Sequence, residues 1–159
     1  MTQNRTIKPS PAFIGASWAA LAIGMGTFLI SLLNADMELN EKGYYLSLLL
    51  LGLFAAISVQ KSVRDRAEGI PVTNIYYGIA WLMLAAALTL LVVGLINARS
   101  ISVSEKLVYG VSFAMSLYAV VAIQKNIRDV ATSEDPDEAQ ATPQPHLLPG
   151  SQSNDGVRG

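Results

Sequence analysis

Polar residues break this 159-residue chain into four long apolar runs. The first carries no charge from Pro9 to Ala35, which exceeds the roughly 20 residues a helix needs to cross a hydrocarbon layer about 30 Å thick. Pro9-Ser10-Pro11 opens it, with Ser10 placed to cap and Pro11 at the first helical position, and the predicted span is Phe13 to Leu33. The second uncharged run, Gly43 to Gln60, is shorter, so its helix is expected to continue through Lys61 and Arg64, whose cations reach the headgroups. The third, Gly69 to Ala98, gives a span over Val72 to Ile96, and the fourth span is Leu107 to Gln124. Gly69-Ile70-Pro71 marks the turn between the second and third. Asn40 and Ser104 are expected to cap the second and fourth helices, with Glu41 and Glu105 in their first turns complementing the helix dipole.

The polar punctuation repeats. Gln60-Lys61-Ser62-Val63-Arg64-Asp65 returns as Gln124-Lys125-Asn126-Ile127-Arg128-Asp129, each time at the foot of an apolar run. Upstream, Glu41-Lys42 recurs as Glu105-Lys106, Tyr45 as Tyr109, Asn34-Ala35 as Asn97-Ala98 and Trp18 as Trp81, with a slip of one residue inside a loop. The chain is a duplication. Its predicted organisation is a leader over 1–9, a two-helix membrane repeat over 10–66, a second over 67–130, and an acidic, proline-rich tail over 131–159 whose composition predicts disorder. The fold class is therefore all-α: four transmembrane helices in two tandem repeats. Each repeat holds two spans, so both copies enter the bilayer in the same direction and are related by a pseudo-axis along the membrane normal, unlike an inverted-repeat transporter.

Composition agrees. Hydrophobic residues make up 52% and charged residues only 14%, against about 25% charged in an ordinary soluble domain, and the mean hydropathy is +0.39. A net charge of -1 gives no global bias toward nucleic acid, and no nucleic-acid partner is expected. There are no cysteines, which removes disulfides and thiolate chemistry. The first apolar run is too long for a signal peptide and lacks a small-residue cleavage site, so it is expected to remain as a span. Arg5, Lys8, Lys61, Arg64, Arg66, Lys125 and Arg128 fall on one side of the bilayer, against Lys42, Arg99 and Lys106 on the other. Seven against three predicts both termini in the cytoplasm.

The candidate site is the duplicated element itself: Gln60, Lys61, Arg64 and Asp65, with Gln124, Lys125, Arg128 and Asp129. Lysine and arginine three apart share a helix face and suit an anionic lipid headgroup or a partner protein. The plainer reading is that cations at a cytoplasmic helix end follow from the helix dipole and from topology, with each Asp paired to a neighbouring cation; it leaves the repeated glutamine unexplained. Asn34 and Asn97, ending spans one and three, suggest left-handed C-caps rather than a polar site at the outer mouth. Tyr44, Tyr45 and Tyr109 suggest a headgroup belt, as do Tyr76, Tyr77 and Trp81 at the start of span three. Met25, Met83 and Met115 read as packing residues, and His146 has no partner at ligand spacing, so no metal or other cofactor is expected. Ser17, Thr27, Ser58, Thr89 and Ser112 can bond their own helix backbone. Small pairs at four-residue spacing (Ala20 with Gly24, Ala22 with Gly26, Gly52 with Ala56, Gly110 with Ala114) predict close helix packing. The spans hold no Asp, Glu, Lys, Arg or His, which argues against charge-coupled transport and general acid-base catalysis.

The polar segments Ser10-Pro11-Ala12-Phe13, Asn34 through Tyr45, Gly69-Ile70-Pro71 and both Gln-Lys-x-x-Arg-Asp elements resemble the YiaA/YiaB inner-membrane proteins in order and spacing, from about Ser10 to Asp129. The resemblance implies a tandem two-helix domain in a bacterial inner membrane and brings no reaction with it; the long tail departs from it. The expectation is a non-enzymatic accessory or scaffold element that contacts anionic lipids, further copies of itself or another membrane protein. The alternative is a small channel or facilitator formed by oligomerisation.

Overall fold

The computed structural model describes residues 9–134, and every structural statement below concerns them. Four helices follow in order: α1 (Pro11–Asn34), α2 (Leu39–Ala67), α3 (Asn74–Asn97) and α4 (Val103–Glu134). The shortest have 24 residues, about 36 Å at the α-helical rise, and all four are apolar enough to cross a membrane. The predicted start of the tail at 131 is not the end of α4, which continues to Glu134. The acidic, proline-rich sequence beyond it, with the predicted disorder and with His146, lies outside the described residues.

Local chemistry sets the helix ends in matched pairs. Ser10 accepts a hydrogen bond from the Phe13 N–H with Pro11 behind it, as expected, and Thr73 does the same for Tyr76 N–H at the start of α3. The starts of α2 and α4 lie further upstream than the sequence suggested. Glu38 caps α2, with Glu41 returning a bond to its backbone N–H, and Ser102 and Glu105 form the equivalent box on α4. Asn40 and Ser104 fall inside their helices, because Glu41 and Glu105 reach back as third-position partners instead of merely facing the dipole. At the other ends Asn34 and Asn97 stay helical and fold their amides back to the Ile30 and Val93 carbonyls, at 2.7 and 2.8 Å. The left-handed cap predicted for them is absent: Ala35 and Ala98 follow in extended backbone, and no described non-glycine residue has positive φ. Gly69, at φ +76°, supplies the left-handed residue of the α2–α3 turn, where a side chain would be strained.

The helices do not pack as two hairpins. α1 lies along α4, antiparallel, and α3 lies along α2, while α2 and α4 meet as a parallel central pair and α1 touches its own repeat partner only sparingly. Each repeat therefore lends its first helix to the other repeat's second helix. Burial follows the duplication closely: Ser17, Gly24, Phe28 and Leu32 on α1 correspond to Ala80, Ala87, Leu91 and Leu95 on α3. On the central helices Tyr45, Leu49, Ala55 and Val59 correspond to Tyr109, Phe113, Ala119 and Ile123, all buried.

The pseudo-axis is filled. Tyr45 and Tyr109 stack across it with ring centroids 5.6 Å apart, Phe28 meets Tyr109 edge-on at 5.3 Å, and the Phe113 ring lies over Gly52, where an added Cβ would come within 2.5 Å of it. Tyr45 and Tyr109 are thus core residues, 3% and 1% exposed, and not the headgroup belt their place near helix starts suggested. Tyr44 lies outside the core but donates its hydroxyl to the Leu90 carbonyl at 2.6 Å, tying α2 to α3. Lipid-facing aromatics do remain on α3, where Tyr76 and Trp81 are exposed. The methionines Met25, Met83 and Met115 are half-buried packing residues. Of the small-residue pairs, Gly24 and Gly52 sit at tight crossings, whereas nothing lies within 4 Å of a Cβ added at Gly26 or Gly110.

Candidate functional site

Both copies of the duplicated element lie at the same end of the parallel α2/α4 pair, on the face where α1 begins and α4 ends. Four-residue spacing puts Lys61 beside Asp65 on α2 and Lys125 beside Asp129 on α4, at 2.7 and 3.2 Å. Arg64 grips Asp65 from the other side at 2.7 Å, with Glu68 at 3.8 Å. Arg128 pairs with Asp129 at 3.5 Å and with Glu68, the C-cap residue of α2, so one ion pair crosses from α4 to the end of α2. Arg66 leaves this network, stacking on the Tyr77 ring at 3.8 Å and bonding Asn74 across the turn.

The two cations of each element do different things. Lys61 and Lys125 project outward, with side chains 54% and 61% exposed, while Arg64 and Arg128 turn inward to the carboxylates at 23% and 36%. Asp65 is almost fully buried between its two cations. The geometry supports the plainer expectation that each Asp pairs with neighbouring cations, and leaves the lysines as the groups presented at the rim. Gln60 and Gln124 are half-buried, their amide oxygens shielded and without a hydrogen-bond partner among the described residues.

Sequence reasoning passed over the variable position inside the element. Ser62 and Asn126 are among the most deeply buried polar residues, at 0% and 2% exposed. Ser62 bonds its own helix at Ser58 O, 2.6 Å away, whereas Asn126 reaches across to α1 and donates to Ser17 Oγ at 3.1 Å. Ser17 in turn donates to Phe13 O at 2.8 Å, so the self-bonding expected of it holds and it serves a second role as acceptor. The available signal was the spacing: both residues lie three before the buried Asp side of the element, on the face turned inward. Glu68 was also missed, since nothing along the sequence announces that the end of α2 meets α4.

On the opposite face the duplicated Glu-Lys dipeptide closes the ends of α1 and α3. Lys42 donates to Leu33 O at 3.1 Å and Lys106 to Ile96 O at 3.4 Å, satisfying terminal carbonyls that the helix leaves unpaired. Among the described residues no group of His, Cys, Asp and Glu is arranged to hold a metal ion.

The YiaAB family, described as the yiaA/B two helix domain, matches residues 13–65 and again 76–129. The chain belongs to this family. The two matched stretches fall one in each repeat, each ending on the duplicated element at Asp65 or Asp129. Inner membrane protein YiaA of Escherichia coli strain K12 is 50% identical over 139 residues, which cover 87% of this chain and 94% of that protein. The uncharacterized membrane protein YubF of Bacillus subtilis strain 168 is 45% identical over 58 residues, 36% of this chain and 67% of that one. No solved structure matches the chain. With four spanning helices and these relatives, the YiaAB chain is a multi-pass inner-membrane protein.

Proposed function

We propose that this protein is a non-enzymatic accessory or scaffold element of the bacterial inner membrane, oriented with both termini in the cytoplasm. The observation that carries the reading is the filled pseudo-axis: stacked Tyr45 and Tyr109, with Phe113 over Gly52, leave rigid packing where a self-contained pore or reaction chamber would need space. The charged side chains lie at the two rims. At the cytoplasmic rim Lys61 and Lys125 offer two outward ammonium groups to anionic headgroups or an acidic partner, while Arg64 and Arg128 hold the carboxylates that fix the helix ends.

Affinity purification from cross-linked native membranes tests the role. A reproducible membrane-protein partner, reduced when Lys61 and Lys125 are changed together to glutamine, is the expected result. Solute or ion flux through liposomes holding only the purified protein would overturn it in favour of an oligomeric channel. Orientation has its own test, because single cysteines enter a cysteine-free background. Cysteines at Asn40 and Ser102 should react with an impermeant thiol reagent in intact spheroplasts, and one at Ala131 only after lysis; labelling of Ala131 first would reverse the assignment.

A further inference from the structure

We propose that the loop face carries a phospholipid site selective for headgroups that combine a phosphate with a primary ammonium, built where α1 ends against the start of α4. A cleft of about 140 Å³ lies there, lined by Ser31, Asn34, Glu105, Val108 and Tyr109. A second cleft of about 260 Å³ occupies the equivalent place between α3 and α2, on Gly94, Asn97, Glu41, Tyr44 and Tyr45. Position by position the linings are equivalent in the two repeats, with Asn34, Glu105 and Tyr109 matched by Asn97, Glu41 and Tyr45, and Ser31 and Val108 replaced by Gly94 and Tyr44. Both volumes fall below the ~300 Å³ at which pockets begin to enclose a whole drug-sized molecule, so they suit a headgroup.

The Glu-Lys dipeptides divide between the clefts. Adjacent residues on a helix point about 100° apart. Glu105 lines the α1/α4 cleft, and the lysine beside that cleft is Lys42 of the other repeat, held at Leu33 O at 3.1 Å. In the α3/α2 cleft the carboxylate is Glu41 and the neighbouring lysine is Lys106. Each cleft thus has a carboxylate of one repeat in its wall, while a lysine of the other repeat holds the carbonyl one residue before the lining asparagine, Leu33 before Asn34 and Ile96 before Asn97. Ser102 uses one oxygen of Glu105 as a capping acceptor, leaving the other for a ligand, and Lys42 spends one of its three N–H groups on Leu33. An ammonium on Glu105 and a phosphate oxygen on Lys42 satisfy both, whereas a purely anionic headgroup meets the carboxylate unfavourably. Tyr109 lines the cleft, and its hydroxyl is buried with no hydrogen-bond partner among the described residues. Such a group calls for a ligand or water.

The occupant is a lipid because the cleft continues downward into an apolar groove. Val108 is common to the cleft and to a groove of about 340 Å³ between α1 and α4, whose walls include Ile23, Thr27, Val111 and Met115. That groove takes the acyl chain below the headgroup. In the other half Tyr44, which stands where Val108 does, donates to Leu90 O, and Leu90 stands where Thr27 does, so a tyrosine side chain spans the place equivalent to the top of the groove. The complete site is therefore the α1/α4 one.

The test is retained lipid per protein after the full chain is exchanged in detergent into equal mixtures of dioleoyl phosphatidylethanolamine, phosphatidylcholine and phosphatidylglycerol, read by native mass spectrometry. Phosphatidylethanolamine should be retained over both, since phosphatidylcholine has no N–H donors and phosphatidylglycerol has no cation. Losing a charge-assisted bond through Glu105→Gln, which keeps the capping acceptor, should lower retention at least ~10-fold. Val108→Tyr, copying Tyr44, should do the same by filling the groove, and Lys42→Gln provides a third variant should either of these fail to fold. Free O-phosphoethanolamine at the lipid's concentration should not displace it. Equal retention of the three lipids, preference for phosphatidylglycerol, displacement by the free headgroup, or retention unchanged in all folded variants would overturn the proposal.

Discussion

The α1/α4 and α2/α3 pairings are made from the same sequence twice over, yet they are held by different chemistry. Along α1/α4 the contacts are small and polar: Gly24 lies so close to α4 that an added Cβ would stand 2.7 Å from Ser116 Oγ and 3.0 Å from its backbone nitrogen. Asn126 donates to Ser17, and Ser112 and Ser116 bond back to Val108 and Ser112. Along α2/α3 the corresponding places are Ala87 for Gly24, Ala80 for Ser17, Leu48 for Ser112, Gly52 for Ser116 and Ser62 for Asn126. One half relies on close approach and interhelical hydrogen bonding, the other on aliphatic packing supplemented by Tyr44. A duplicated membrane fold thus tolerates either solution at each crossing. The small residues face different neighbours: Gly24 lies against Ser116 of α4, whereas Gly52, at the position equivalent to Ser116, lies against Phe113 and Leu117 of α4.

Breaking the close crossing should have the largest effect. Gly24→Val forces side-chain atoms into the α4 backbone and should destabilise by about 3 kcal/mol, the upper range for overpacking, read as a fall in unfolding midpoint in detergent. Gly24→Ala should be milder, and Gly24→Ala with Ser116→Gly, which installs the other half's residues, should recover most of the loss. Failure of that rescue would mean that the halves are not interchangeable at this crossing.

The next effect is the interhelical hydrogen bond. Ser17→Ala removes the acceptor for the buried Asn126 amide and should cost up to about 1.7 kcal/mol, the top of the range for such bonds in membranes. Installing the pair on the apolar side, as Ala80→Ser with Ser62→Asn, should show favourable coupling in a double-mutant cycle. The smallest expected change is Tyr44→Phe, about 0.6 kcal/mol for one bond to Leu90, with unchanged packing of the ring.

Much of this architecture is legible in the sequence because it is written locally. Charge-free length locates the spans, Ser10-Pro11 starts α1, and the repeated polar punctuation gives two copies in the same orientation. Helix partnership is not written locally. Since α4 repeats α2, pairing α1 with either would bury the same face of α1, and exchange between repeats leaves the hydropathy pattern untouched. The burial of Tyr45 and Tyr109 follows from that missing information: near a helix start they read as interfacial, and only the parallel meeting of α2 and α4 puts them at the core. Asn34 and Asn97 were legible as terminators but not in mechanism, because asparagine closes a helix either through left-handed backbone or through its amide. In the duplicated element the Lys-Asp pairing was readable from four-residue spacing, while Asn126–Ser17 joins residues that the exchange brings together and Arg128–Glu68 depends on the parallel meeting of α2 and α4.

The exchanged pairing is tested most directly by cysteine cross-linking. Ser17→Cys with Asn126→Cys places the two thiols on α1 and α4, and Ser17→Cys with Ser62→Cys is the equivalent pair if each repeat folds as its own hairpin. With a protease site inserted after Gly69, oxidation of the first pair in membranes should leave the cleaved halves joined in a band of monomer size, and the second pair should form little disulfide. Efficient closure of the 17–62 pair, with halves that separate in the 17–126 variant, would contradict the exchange.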